Sequence, residues 1–191
     1  MTGPPREADL LARLAHADRA GDGSVGAALA ELARFLRDEG RTDEAVLHAR
    51  RRVDIEGTAT PPAPARLADA ALFLGTLLLQ QGRFDESSPF LQKALDLRQK
   101  EFGKRDPRVA EVLTAQGRWM QAAGRPEEAD AAFIRAIEVL QDHGPDAARL
   151  LADAVEGRAA LLQSTGQVTD LAQARERATE VRHRAEPAGE P

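Results

Sequence analysis

Four histidines, His16, His48, His143 and His183, are the side chains best suited to hold a metal or move a proton near neutral pH. Their spacing serves neither role. No two lie within one helical turn, and no His-Glu-x-x-His or comparable ligand pattern occurs. His143, in Asp142-His143-Gly144, reads as the C-terminal end of a helix. Carboxylate pairs at Asp43-Glu44, Asp85-Glu86 and Glu127-Glu128 invite an acid–base reading, yet they recur at one place in three successive segments. That recurrence is what first helical turns produce, where each acid meets the helix dipole favourably by roughly 0.3–1 kcal/mol. Ser87-Ser88 opens a helix without a nearby base, and Gly21-Asp22-Gly23 is too short and too acidic to cradle a phosphate. Arg50-Arg51-Arg52 reads as a solvated helix face, lacking the aromatic platform a nucleic-acid site needs. Trp119 shares a repeat column with Phe35, Leu77 and Leu161, which makes it a packing residue. Neither an enzyme nor a cofactor is expected.

The elements that carry these residues follow from a strict period. Gly40, Gly82, Gly124 and Gly166 recur every 42 residues without drift. A fixed period of this size means stacked helical hairpins, each contacting its neighbours. Small residues align as Ala33, Gly75, Gly117 and Ala159; large ones align as Leu36, Leu78, Met120 and Leu162. Each row therefore holds one amphipathic helix before its glycine and a second after it. Apolar positions of the second helices are Ala45, Val53 and Ile55, then Leu91, Ala94, Leu95 and Leu97, then Ala129, Phe133, Ala136 and Ile137. Glycine suits the left-handed turn between the two helices, and Pro126 suits the first position of the helix that follows it. Before the rows, Leu10, Leu11, Leu14 and Ala17 are expected on one face of a solitary helix from Arg6 to Arg19.

Composition narrows the partner. With 42% hydrophobic, 30% charged and only 4% aromatic residues, the core is built mostly from Ala, Leu and Val. A net charge of −5 argues against nucleic acid. No apolar run approaches the ~20 residues of a membrane span. There are no cysteines, which removes disulfides and thiolate chemistry and fits a reducing compartment. The start, Met-Thr-Gly-Pro-Pro, lacks the features of a signal peptide, so the expected location is cytoplasmic. Ala- and Arg-rich usage points to a bacterial chain.

The rows carry a resemblance. Leu74, Gly75, Leu78, Gly82, Leu91 and Ala94 in the second, and Gly117, Met120, Gly124, Ala129, Phe133 and Ala136 in the third, are similar to the tetratricopeptide repeat pattern. The 42-residue period and the Gly103-to-Pro107 loop resemble the kinesin-light-chain subtype in particular. Row one departs from the pattern at Ala49 and Arg52, and row four at Leu171 and Arg175. The resemblance implies an all-α, right-handed α-solenoid of about four hairpins plus an N-terminal capping helix. The divisions are 1–24 for the capping segment, then repeats at 25–66, 67–108, 109–150 and 151–185, and a disordered tail at 186–191.

It also implies a concave groove lined by the first helices, taking a peptide or protein partner. The groove positions carried across include Arg34, Arg37, Leu72, Phe73, Thr76, Leu79, Arg118 and Gln121. Two departures matter: the chain has no Asn to bond a peptide backbone, and the Lys/Asn clamp of chaperone-binding relatives is missing. Leu72, Phe73 and Leu79, flanked by Arg34, Arg37 and Arg118, suit a peptide with apolar anchors and acidic flanks. The other reading is that these apolar residues meet a neighbouring helix or a second copy in a homodimer. The function expected is a non-catalytic interaction scaffold; a regulatory module answering a peptide or small molecule is the alternative.

Overall fold

In the computed structural model the four glycines of the series turn the chain in the left-handed region, with φ of 76° at Gly40, 72° at Gly82, 73° at Gly124 and 73° at Gly166. The residues described are 7–21, 23–144 and 147–167, with Ala172 and Glu176. They form α1 (Glu7–Ala20), α2 (Val25–Asp38), α3 (Thr42–Gly57), α4 (Pro64–Gln80), α5 (Phe84–Phe102), α6 (Pro107–Ala122), α7 (Pro126–Gln141) and α8 (Ala148–Thr165). No strand occurs among the described residues. The expected second helix of row four and the tail at 186–191 lie outside them.

At Gly124 nothing lies within 4 Å of where a Cβ would stand, so an alanine there meets backbone strain alone. Gly124→Ala is expected to cost about 1–2 kcal/mol. The measurement is a lower urea midpoint at unchanged m-value.

Contacts divide the chain into two compact units, one to Leu97 and one from Arg98. In the first, α1 packs on α2, α2 on α3 and α3 on α4. Leu29, Leu32, Leu36, Leu74, Leu77 and Leu78 are nearly inaccessible and form one core with Leu10, Leu14 and Ala17 of α1. Leu11, expected on that face, is 46% exposed. At about 100° per residue it falls off the stripe that positions 10, 14 and 17 share. Ion pairs Arg13–Glu31 at 2.6 Å, Arg41–Glu7 at 2.7 Å and Arg51–Asp18 at 2.5 Å tie α1 to α2 and α3. Buried Ser87 donates to the Gly75 carbonyl at 2.8 Å, fastening α5 to α4.

In the second unit α6 packs on α7 and α8, and α7 packs on α8. Phe133 is fully buried with Ala129 and Leu161, and Met120 packs against them. A Cβ on Gly117 would stand 2.8 Å from the Phe133 ring, and one on Gly157 only 2.5 Å from it. The ring thus fills space that two glycines, on α6 and α8, leave open. Before α6, Asp106 caps the helix by accepting from the Arg108 N–H at 2.9 Å, and Pro107 takes the first position. The Arg108 guanidinium holds the Asp106 carboxyl below its ordinary pKa and lies 3.3 Å from the Phe102 ring centroid. This is the Gly103-to-Pro107 loop.

Candidate functional site

The carboxylate pairs after each glycine have a second role that their positions alone did not disclose. The residue following each of the first three glycines is an arginine whose guanidinium forks onto the second acid of the pair. Arg41 reaches Glu44 at 2.6 Å through two nitrogens, Arg83 reaches Glu86 at 2.7 and 2.9 Å, and Arg125 reaches Glu128 at 2.6 Å. The fork holds the Glu44 and Glu86 carboxyls below their ordinary values. These groups are exposed, so the pairs set the entry geometry of α3, α5 and α7 more than they stabilise it.

Of the groove residues read from the sequence, six lie in the first unit. Arg34 is exposed on α2. Arg37, one turn on, places its guanidinium 5.4 Å from the centroid of the Phe73 ring of α4 and pairs with Asp38 at 2.8 Å. That stack bridges α2 and α4 and leaves Phe73 half-buried. Leu79 is half-buried too. Leu72 is only 7% exposed, so little of it is left to meet a partner. Thr76 donates its hydroxyl to the Leu72 carbonyl within α4. In the second unit Arg118 is exposed on α6 and donates to the Asp153 carbonyl at 3.4 Å, and Gln121 is half-buried.

The basic run on α3 is not one solvated face. Arg50 pairs with Glu86 and Arg51 with Asp18, each at 2.5 Å, whereas Arg52 turns inward and keeps only 8% exposure. Successive helical residues diverge by about 100°, so three adjacent arginines meet three different surroundings. The Arg52 Nε is sealed from solvent with no hydrogen-bond partner among the described residues. An unpaired buried donor costs ~1–3 kcal/mol, and more when charged. Burial depresses the Arg52 pKa first; Arg34 and Arg66 depress it further, against the opposing pull of Glu56 and Asp69. Glu56 is itself buried and accepts from the Arg66 Nε at 2.8 Å. Its carboxylate lies so close to α2 that a Cβ on Gly26 would stand 2.2 Å from Oε1. A buried polar cluster thus sits among α2, α3 and α4. One signal of it was in the rows: Arg52 stands in the column that holds Ala94 and Ala136.

Of the histidines, His183 lies outside the described residues. His143 Nδ1 lies 2.7 Å from the Val139 carbonyl at the end of α7, and burial pushes the His48 pKa down. The second unit has an open cleft of about 670 Å³ with Lys104, Arg105 and Arg135 on its walls, opposed there by Glu138 and Asp142. Trp119 is half-buried, less enclosed than Leu77 or Leu161 of its column, with the Arg125 guanidinium 5.6 Å from its ring centroid.

Residues 66–142 match the family model described as Tetratricopeptide repeat. The chain carries tetratricopeptide repeats. Its fold is also that of solved repeat proteins. BtubC (BKLC) from P. vanneervenii is 19% identical with a TM-score of 0.80, over 97% of this chain and 75% of that one. The nearly identical TPR-like repeats of a Podosopora anserina protein of kinesin-light-chain type are 17% identical with a TM-score of 0.71, over 95% of this chain and 88% of that one. A single-substitution form of those repeats gives 17% and 0.74, over 92% and 84%. No curated protein matches the sequence. The fold class is therefore an all-α repeat solenoid whose tetratricopeptide hairpins resemble those of kinesin light chains. Proteins of this repeat generally act as scaffolds for other proteins and not as catalysts. None of the described helices is long and apolar enough to cross a membrane.

Proposed function

We propose that the chain is a non-catalytic, cytoplasmic interaction scaffold that holds a partner peptide or protein against the first helices of its tetratricopeptide hairpins. The observation that supports this best is the face where α2 meets α4. It sets a partly open aromatic, Phe73 of α4, against the Arg37 guanidinium of α2, with Arg34 exposed one turn earlier on α2 and Leu79 half-buried further along α4. A peptide with an apolar anchor and acidic flanks matches that face: the ring takes the anchor and the guanidinium groups take carboxylates. The second unit presents its own first-helix face, with Arg118 and Gln121 on α6, to the same class of partner. The lack of cysteine supports a reducing compartment, and the net charge of −5 argues against nucleic acid.

The test is capture from a native lysate with Arg34→Glu and Arg118→Glu, singly and together. Reversing these exposed charges leaves the folded core untouched and inverts the field a partner meets. Each single change is expected to weaken capture of the same partner, and the pair to abolish it. Undiminished capture by the double variant would remove the groove reading. Light scattering at two concentrations checks whether a second copy is the occupant instead.

A further inference from the structure

The cleft of about 670 Å³ in the second unit is walled by charges of both signs, Lys104, Arg105 and Arg135 with Glu138 and Asp142. All five side chains are exposed, and none forms an ion pair or hydrogen bond among the described residues. Other surface arginines behave differently: Arg41, Arg83 and Arg125 each fork onto the glutamate three residues on. Arg135 and Glu138 have that same spacing on α7 and stay apart. Both walls are held from behind. Lys104 and Arg105 stand on the loop that Gly103 opens in the left-handed region, with φ of 85°. Asp106 ends that loop by accepting from the Arg108 N–H at 2.9 Å and from its Nε at 2.8 Å, and the same guanidinium stacks on Phe102. On the other wall, Arg135, Glu138 and Asp142 follow one another along α7, anchored by buried Ala136, Ile137 and Leu140. His143 closes the end of that helix, its Nδ1 2.7 Å from the Val139 carbonyl. The space is preformed, and its charges are unspent.

We propose that this cleft docks a partner segment carrying an acidic and a basic side chain close together. The carboxylate goes to the cations of the loop and Arg135, and the ammonium or guanidinium goes to Glu138 and Asp142. A purely acidic ligand would face two carboxylates, and a purely basic one three cations. A ligand of both signs leaves neither set opposed. The C-terminal end of α7 adds its own partial negative charge beside Glu138 and Asp142, which favours a cation there. A volume of this size takes a drug-sized ligand, and a short stretch of peptide is on that scale. The proposal rests on the peptide-binding reading above and adds a site apart from its groove, since Arg118 lies about three turns into α6.

The experiment uses the full chain and short capped peptides in which one Glu and one Lys are separated by one, two or three alanines. Companion peptides replace the Glu, the Lys or both by Gln. Each is titrated at constant ionic strength while the backbone amides of residues 103–106 and of α7 are followed by NMR. A saturable shift with a two-signed peptide is the expected result. Each single-signed companion should bind roughly fivefold more weakly, the worth of one close ion pair in water, and the neutral one should give no shift. Arg135→Gln should erase the advantage that the peptide's Glu confers and keep that of its Lys. Glu138→Gln should do the reverse. Both substitutions are at exposed positions, so an unchanged melting temperature confirms that the fold is intact. Equal binding of the acidic and the two-signed peptides, the same losses from both variants, or no response at any spacing would each overturn the proposal. None of these outcomes bears on capture by the Arg34→Glu and Arg118→Glu variants, so the two readings fail separately.

Discussion

Phe133→Ala should destabilise the second unit by about 3–5 kcal/mol, the range for emptying a fully buried aromatic site. The ring is completely inaccessible and touches Ala129, Leu161 and Met120, so its loss removes contacts on α6, α7 and α8 together. Collapse cannot fill the space, because the nearest walls are the backbones of Gly117 and Gly157, which carry no side chain to move inward. A domain of ordinary stability holds only ~5–15 kcal/mol, so a substitution of this size is a large share of it. Thermal unfolding followed by circular dichroism checks this: the transition that unfolds α6 to α8 should fall by many degrees. Phe133→Leu, which keeps most of the volume, should cost much less.

Why this residue carries so much could be read in part from the rows. The glycine column and the aligned small and large residues came from a period that any packed hairpin array must show, because identical neighbours demand identical seams. Phe133 was visible as the aromatic of its second helix. Gly157 was not visible as its second wall, since it stands two positions before the row-four residue Ala159 that aligns with Gly117. The candidate site was read from the sequence along α2, α4 and α6, from family columns alone. Arg52 escaped because a run of three arginines looks uniform in sequence. Its burial depends on which 100° step faces α2 and α4, and that is decided by packing. Leu72 shows the same limit in reverse: its column points to the groove, yet it is 7% exposed. The Arg41–Glu44 fork and its two repeats were written in the rows, but reading the acids alone against the helix dipole left their arginine partners aside.

Packing between the two helices of a hairpin yields the second large effect, at Gly117. In the row before, the equivalent Gly75 faces Leu91, whose Cδ2 would stand 2.8 Å from an added Cβ. At Gly117 the obstacle is the Phe133 ring at the same 2.8 Å. A leucine tip can rotate away, but the same edge of the phenyl ring, Cε1 and Cζ, also lies tight against Gly157, so the ring has little room to turn. Row one meets the problem differently, with Ala33 and Ala49 at the corresponding positions, both buried. Volume is thus exchanged across the hairpin: where the second helix carries a large residue the first carries glycine, and where it carries alanine the first does too. Gly117→Val is therefore expected to cost about 3 kcal/mol, at the upper end for overpacking, despite valine's better helix propensity than glycine's. Gly75→Ala should cost clearly less than Gly117→Ala. A double-mutant cycle decides the cause. In the Phe133→Ala background the added valine enters vacated space, so Gly117→Val should become nearly neutral there, a coupling of about 2–3 kcal/mol. Additive losses would mean that the glycine serves the helix backbone and not the ring, and the volume exchange would then not be what sets this column.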